Sequence, residues 1–192
     1  MRELRIHGRG GQGSVTAAEL IACAAFEGGV FSQAFPAFGV ERRGAPVQAF
    51  VRFSDRKIRL RSQVYEPDYI IVQDSTLIRD VDVFNGIKPG GIAIINTEKT
   101  ASDFRVPEGV TVYTIDATTI ALEELGLPIT NTALMGAFAA ATGEIGLEPL
   151  KGALRSRFAG SLAEKNIRAS FVDRVYAKVR EFLRRIGLAG AR

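Results

Sequence analysis

The sequence predicts an α/β fold: a mostly parallel, Rossmann-like, doubly wound sheet with helices on both faces and one inserted antiparallel hairpin. Three observations carry that prediction. Residues 4–7, Leu-Arg-Ile-His, form a β-type run that breaks into Gly8-Arg9-Gly10-Gly11-Gln12-Gly13 and then into a helix start at Ser14. Three short continuous apolar runs, residues 69–72, 92–95 and 110–115, have the character of strands that a parallel sheet buries on both faces. Segments of helical character follow or separate them, and buried strands alternating with helices imply parallel pairing.

Each element has its own signal. The first helix carries an apolar stripe of Ala18, Ile21, Ala22 and Ala25, in which Cys23 reads as a core residue. A second strand, residues 30–35, stops at Pro36, and an irregular loop runs to Pro46. Residues 47–53 and 57–61 then read as two strands joined by Ser54-Asp55-Arg56, which makes them a hairpin. In its second arm Lys57, Arg59 and Arg61 alternate with Ile58 and Leu60, giving one basic face, either solvated or in contact with phosphate or an acidic partner. Helices are expected over 76–85, 117–125, 132–141 and 161–183, the last with Ile167, Phe171, Val175, Val179 and Phe182 on one face. Nothing marks a linker or repeat, so residues 1–192 read as a single domain.

Composition narrows the function classes. The chain of 192 residues carries net charge +4 with 24% charged residues of both signs, compatible with an acidic ligand and not demanding nucleic acid. It lacks the apolar segment of a signal peptide and any membrane-length apolar run, so a cytoplasmic protein is expected. One cysteine and one histidine cannot build a disulfide framework or a zinc shell. His7 is either a ligand contact beside the glycine turn or a satisfied structural residue. Asp74, Asp80, Asp82 and Asp116 follow strand ends, where helix capping is the expected role.

The glycine turn points to an anion, because glycines let backbone approach closely and a helix start presents N–H groups to negative charge. Gly8-x-Gly10-x-x-Gly13 also satisfies the dinucleotide spacing, but the acid expected about twenty residues on, at the tip of the second strand, is missing. The first carboxylate after that strand is Glu41. No GxxxxGK[ST] loop exists either, so the chain is not a P-loop NTPase. It offers a ligand cradle without machinery for breaking bonds, which points to a subunit of something larger. Two rivals stand beside that reading: a stand-alone NAD(P)-binding oxidoreductase, and an RNA-binding module suggested by the GXXG spacing of Gly8-Arg9-Gly10-Gly11.

Further motifs extend the reading. Residues 6–13, Gln33-Ala34-Phe35-Pro36, Val40-Glu41-Arg42-Arg43-Gly44-Ala45-Pro46, Leu60-Arg61-Ser62-Gln63 and Asn131-Thr132-Ala133-Leu134-Met135-Gly136 resemble, in order, the gamma subunit of the 2-oxoacid:ferredoxin oxidoreductases. The resemblance implies a multisubunit, cytoplasmic enzyme that turns a 2-oxoacid, coenzyme A and oxidised ferredoxin into acyl-CoA, CO2 and reduced ferredoxin. It implies alpha, beta and delta companions that hold thiamine diphosphate and the iron–sulfur clusters, with no catalytic or metal-ligating residue in this chain. One cysteine is too few to ligate a cluster. The gamma component's implied part is to cover the active site and help admit coenzyme A. The cofactor-binding candidates are then Gly10, Gly11, Gln12 and Gly13 as a backbone anion pocket, with Arg42 and Arg43 near the companion subunits. Arg43-Gly44-Ala45-Pro46 resembles the form found with pyruvate enzymes first and 2-oxoisovalerate enzymes second.

Overall fold

The computed structural model describes residues 1–37, 43–160 and 163. In chain order its elements are β1 (Arg2–Arg9), α1 (Ser14–Glu27), β2 (Phe31–Pro36), β3 (Pro46–Ser54), β4 (Tyr69–Val72), α2 (Leu77–Asp80), β5 (Ile92–Asn96), a 3₁₀ turn (Ala101–Asp103), β6 (Thr111–Ile115), α3 (Ala117–Leu125), α4 (Asn131–Thr142) and α5 (Leu147–Arg157). The six strands form one sheet in the order β2-β3-β1-β4-β5-β6. β1, β4, β5 and β6 pair parallel, while β3 runs antiparallel to both β1 and β2. β2 therefore points the same way as β1, and β3 is the one reversed strand.

Alternation along the strands divides the core in two. Leu4, Ile6, Val51, Phe53, Ile71, Ile94, Tyr113 and Ile115 face a large cluster built with α1, α3, α4 and α5. Ile70, Val72, Ala93, Ile95 and Val112 face the other way, onto Leu77, Val83 and Phe84. The long helices thus share one face, and the second is covered by the one-turn helix α2, the 3₁₀ turn and extended chain. α4 is buried from Asn131 to Ala140, its alanines allowing neighbours to close in, and its Phe138 stacks on Phe53 at 6.0 Å and meets Tyr69 edge-on at 5.6 Å.

The antiparallel strand of the expected hairpin is present as β3, but residues 57–61 form no strand. β3 already has a partner on each side, so the chain after it finds no edge to pair with. Arg52, fully buried, instead draws that segment in: its guanidinium donates to the carbonyls of Leu60 (3.4 Å), Ser62 (2.7 Å) and Gln63 (3.3 Å), pairs with Glu3 at 2.7 Å and lies over the Phe35 ring. The helix expected over 76–85 ends at Asp80, because the carbonyls of Val83 and Asn85 turn inward to accept from buried Arg5. α5, absent from the expectations, begins after Gly146 and carries Pro149 in its first turn, where a missing N–H costs nothing. The helix expected over 161–183 lies, apart from Ala163, outside the described residues.

Cys23 is exposed. Residues 17, 18, 20, 21, 22, 24 and 25 of α1 are buried, and Cys23 shares the opposite stripe with Glu19 and Phe26. No helix among the described residues is long and apolar enough to cross a membrane, and none of their His, Cys, Asp and Glu side chains group in threes to hold a metal.

Candidate functional site

β1 runs straight into the glycine turn at the boundary where the sheet's connections diverge. From β1 the chain leaves through α1 on one face toward β2; from β4 it leaves through α2 on the other face toward β5. Such a divergence leaves a crevice beyond the carboxyl ends of the strands. A cleft of about 680 Å³ lies there, a size suited to a small organic ligand. Gln12 of the turn borders it, as do Gln73 and Asp74 after β4, Asn96, Thr97 and Lys99 at the end of β5, Asp116 and Thr118 after β6, and Thr130 before α4.

The turn is held rigidly by local bonds. The Gln12 side-chain carbonyl accepts from the Arg9 amide at 2.8 Å while the Gln12 amide donates back to the Arg9 carbonyl at 3.0 Å. Gly13 takes a left-handed conformation, φ 76°, that a side chain resists, and a Cβ there would stand 2.8 Å from Asn131 Nδ2. At Gly8 a Cβ would collide with Gln73 Oε1 and Ser14 Oγ. The sheet and α1 therefore approach each other through Gly8, and Ser14 Oγ reaches Gln73 Oε1 at 2.5 Å. No side chain caps α1. Its first N–H groups, which no helix can satisfy internally, consequently stay available at the positive end of the dipole.

The loop that carries Arg43 is zipped onto this turn. Gly10 N donates to Ala45 O at 2.9 Å, Gly44 N donates to Gly10 O at 3.1 Å, and Gly10 and Arg43 form a parallel bridge. Gly10, Gly11, Gln12, Gly13 and Arg43 thus stand together, with Arg43 exposed. Arg42 lies outside the described residues. Arg9, the cation inside the turn, is already engaged. It pairs with Asp74 at 2.9 Å and Asp80 at 2.8 Å and also donates to Thr76 Oγ1 and the Gly44 carbonyl. Its bonds to Asp80 and Asp74 hold it above the ordinary arginine range. Burial works against ionised Asp74, but the Thr76 and Arg9 hydrogen bonds outweigh it and keep the carboxyl below its usual range.

The other sequence candidates separate into structural roles. His7 is 2% exposed and accepts from Arg5 Nε at 3.0 Å, which leaves its proton on Nδ1. Burial, then the adjacent Arg5 charge, lowers its pKa to about 3, so it is a neutral structural residue. Asp116 caps α3 by accepting from Thr119 N. Asp82 lies close enough to Arg5 to support its charge. Lys57, Arg59 and Arg61 are exposed at the far end of the sheet, beyond Ser54, away from the turn.

Sequence reasoning missed the rest of the cleft wall, Gln73 above all. That side chain is 1% exposed, its Nε2 has no partner, and its main chain accepts from Asn96 Nδ2 at 2.9 Å. The available signal was positional: Gln73, Asn96 and Asp116 stand at or just past the carboxyl ends of parallel strands.

Comparison with known proteins agrees with this architecture. A family model described as pyruvate ferredoxin/flavodoxin oxidoreductase matches residues 3–171. The chain is 60% identical over 156 residues to the pyruvate synthase subunit PorC of Methanosarcina barkeri, covering 81% of this chain and 86% of that one. It is 53% identical over 175 residues to the pyruvate/ketoisovalerate oxidoreductases common subunit gamma of Thermococcus kodakarensis, covering 88% and 94%. Among solved structures, pyruvate oxidoreductase subunit PORC from Thermotoga maritima superposes with a TM-score of 0.79 at 36% identity over 92% of this chain and 95% of that one. A 2-oxoglutarate:ferredoxin oxidoreductase from Magnetococcus marinus, with 2-oxoglutarate, coenzyme A and succinyl-CoA bound, shares the fold at a TM-score of 0.74 and 24% identity, over 94% of this chain and 31% of that one. The chain belongs to the pyruvate ferredoxin/flavodoxin oxidoreductase family, as the gamma subunit of a pyruvate or 2-oxoacid:ferredoxin oxidoreductase.

Proposed function

We propose that this gamma subunit covers the active site of its assembled enzyme and helps admit coenzyme A, while alpha, beta and delta companions hold thiamine diphosphate and the iron–sulfur clusters and pass electrons to ferredoxin. On this reading Gly10, Gly11, Gln12 and Gly13 form the pocket for a coenzyme A phosphate: the amides of Gly10 and Gln12, engaged by Ala45 and Arg9, fix its shape, those of Gly11, Gly13 and the start of α1 receive the anion, and Arg42 and Arg43 stand at the border with the companions. The observation that carries it is the uncapped start of α1 behind a rigid glycine turn, opening on the cleft. With Arg9 neutralised by Asp74 and Asp80, the turn attracts an anion through backbone and through the loop cations, not through its own side chain.

Pyruvate is the proposed 2-oxoacid, with 2-oxoisovalerate second. The gamma subunit does not select between them alone, since one relative's name makes it common to both oxidoreductases. Reversing charge with Arg42→Glu and Arg43→Glu in the assembled enzyme is expected to raise the KM for coenzyme A about tenfold or more, the loss of a charge-assisted phosphate contact. The KM for the 2-oxoacid is expected to stay put. Intact assembly together with unchanged coenzyme A dependence would overturn the assignment.

A further inference from the structure

The run Leu60-Arg61-Ser62-Gln63, which the sequence marks, takes no part in the cleft, yet a buried arginine holds it. Arg52 fixes the carbonyls of Leu60, Ser62 and Gln63. A little further on, the backbone of Gly86, at φ 73°, stands so close to the Tyr65 carbonyl that a Cβ would collide with it. Val64 and Pro67 are buried and anchor the end of the segment. The main chain is thus held in place while the side chains stay outside. Leu60 is 44% and Tyr65 69% exposed, and Lys57, Arg59, Arg61, Ser62 and Gln63 are exposed with them. Among the described residues, Lys57, Arg59 and Arg61 have no ion pair, and no group accepts from an amide between Lys57 and Glu66. Burying Leu60 and Tyr65 would remove apolar and aromatic area from water, and Tyr and Arg are the side chains that most often anchor protein interfaces. Because the backbone is already fixed, docking has little more than side chains to order.

We propose that residues 57–65 are a docking surface for an acidic face of a companion subunit, with Leu60 and Tyr65 entering apolar sockets and Lys57, Arg59 and Arg61 meeting carboxylates around them. Charge chooses the partner. A second copy docked through this run would bring like charges together, whereas an acidic surface gains from each of three cations within five residues. The run also lies at the end of the sheet away from the glycine turn, so a companion holds the chain there without filling the cleft. The inference rests on the chain's place as a subunit and not on where coenzyme A binds.

The test uses the full-length chain and its assembled enzyme, held anaerobic. Reversing the three charges with Lys57→Glu, Arg59→Glu and Arg61→Glu is expected to weaken association with the companions about tenfold or more, read as a dissociation constant by sedimentation. It is also expected to flatten the salt dependence that the native chain shows. Leu60→Ala together with Tyr65→Ala is expected to weaken association about as much and to leave the salt dependence unchanged. All five side chains are exposed, so the urea midpoint of each variant chain is expected to match that of the native chain, which separates lost docking from lost folding. Full assembly of either variant would overturn the proposal. So would a self-association or a salt-sensitive RNA affinity of the native chain that the charge reversal abolishes while assembly stands. In the enzyme that the charge-reversed chain still forms at high concentration, the KM for coenzyme A is expected to be unchanged. Arg42→Glu and Arg43→Glu act on that KM instead, so the two readings fail separately.

Discussion

His7 and Arg52 show how single side chains carry the frame of this subunit. Below pH 6.5 an unfolded chain takes up a proton at His7 that the folded chain, with its imidazole at about 3, refuses. The unfolded state then binds more protons, so stability is full above the ordinary histidine value and falls as the pH drops toward 3, by about 1.4 kcal/mol per unit at the steepest. Urea midpoints measured from pH 7 downward are expected to fall less steeply in His7→Gln, whose carbonyl can still accept from Arg5 and has no proton to gain. Arg52 is the larger structural anchor. Removing it in Arg52→Met leaves the Glu3 carboxylate and the carbonyls of Ser62 and Gln63 without their donor and is expected to cost about 3–5 kcal/mol in urea unfolding, the range for breaking a buried pair. A loss under about 1 kcal/mol would show that the 60–63 segment holds itself in place.

At the scale of the element, the β1–turn–α1 unit is the part on which the site depends. Gly13→Ala is expected to destabilise by about 1–2 kcal/mol from the left-handed backbone alone, with more from the clash against Asn131. A thermal melt of the variant checks the size, and a loss of coenzyme A affinity beyond the stability change marks the turn as a contact. This unit was legible in the sequence because its signal is local: a strand, glycines at fixed spacing and a helix start within twenty residues. β4, β5, β6, α3 and α4 were legible for the same reason, as uninterrupted apolar runs or periodic stripes. The second hairpin arm was not, since alternation at Lys57–Arg61 says nothing about whether an edge remains free, and β1 and β2 had taken both edges of β3. Cys23 misled in the same way. A helix whose residues are nearly all small and apolar has no clear polar face, and only its packing against β3 and α5 decides which stripe looks outward. Gln73 and Asn96 belong to the site through topology, which brings together strand ends far apart in the chain.

At the scale of the whole molecule, the sheet places every cleft residue at one end and leaves the exposed basic run Lys57, Arg59 and Arg61 at the other. That polarity suits a subunit with one face toward a shared active site. On the function proposed above, a chain with a single histidine and, among its described residues, no group of side chains to hold a metal serves its enzyme by positioning an acidic co-substrate for chemistry carried out on the companion subunits. The most direct measurement is hydrogen–deuterium exchange of the assembled enzyme, held anaerobic, with and without coenzyme A. Slower exchange on coenzyme A binding in peptides covering the glycine turn, the start of α1 and the strand ends at Gln73 and Asn96 is the result expected here. Protection confined to the companion subunits, with those peptides unchanged, would contradict it.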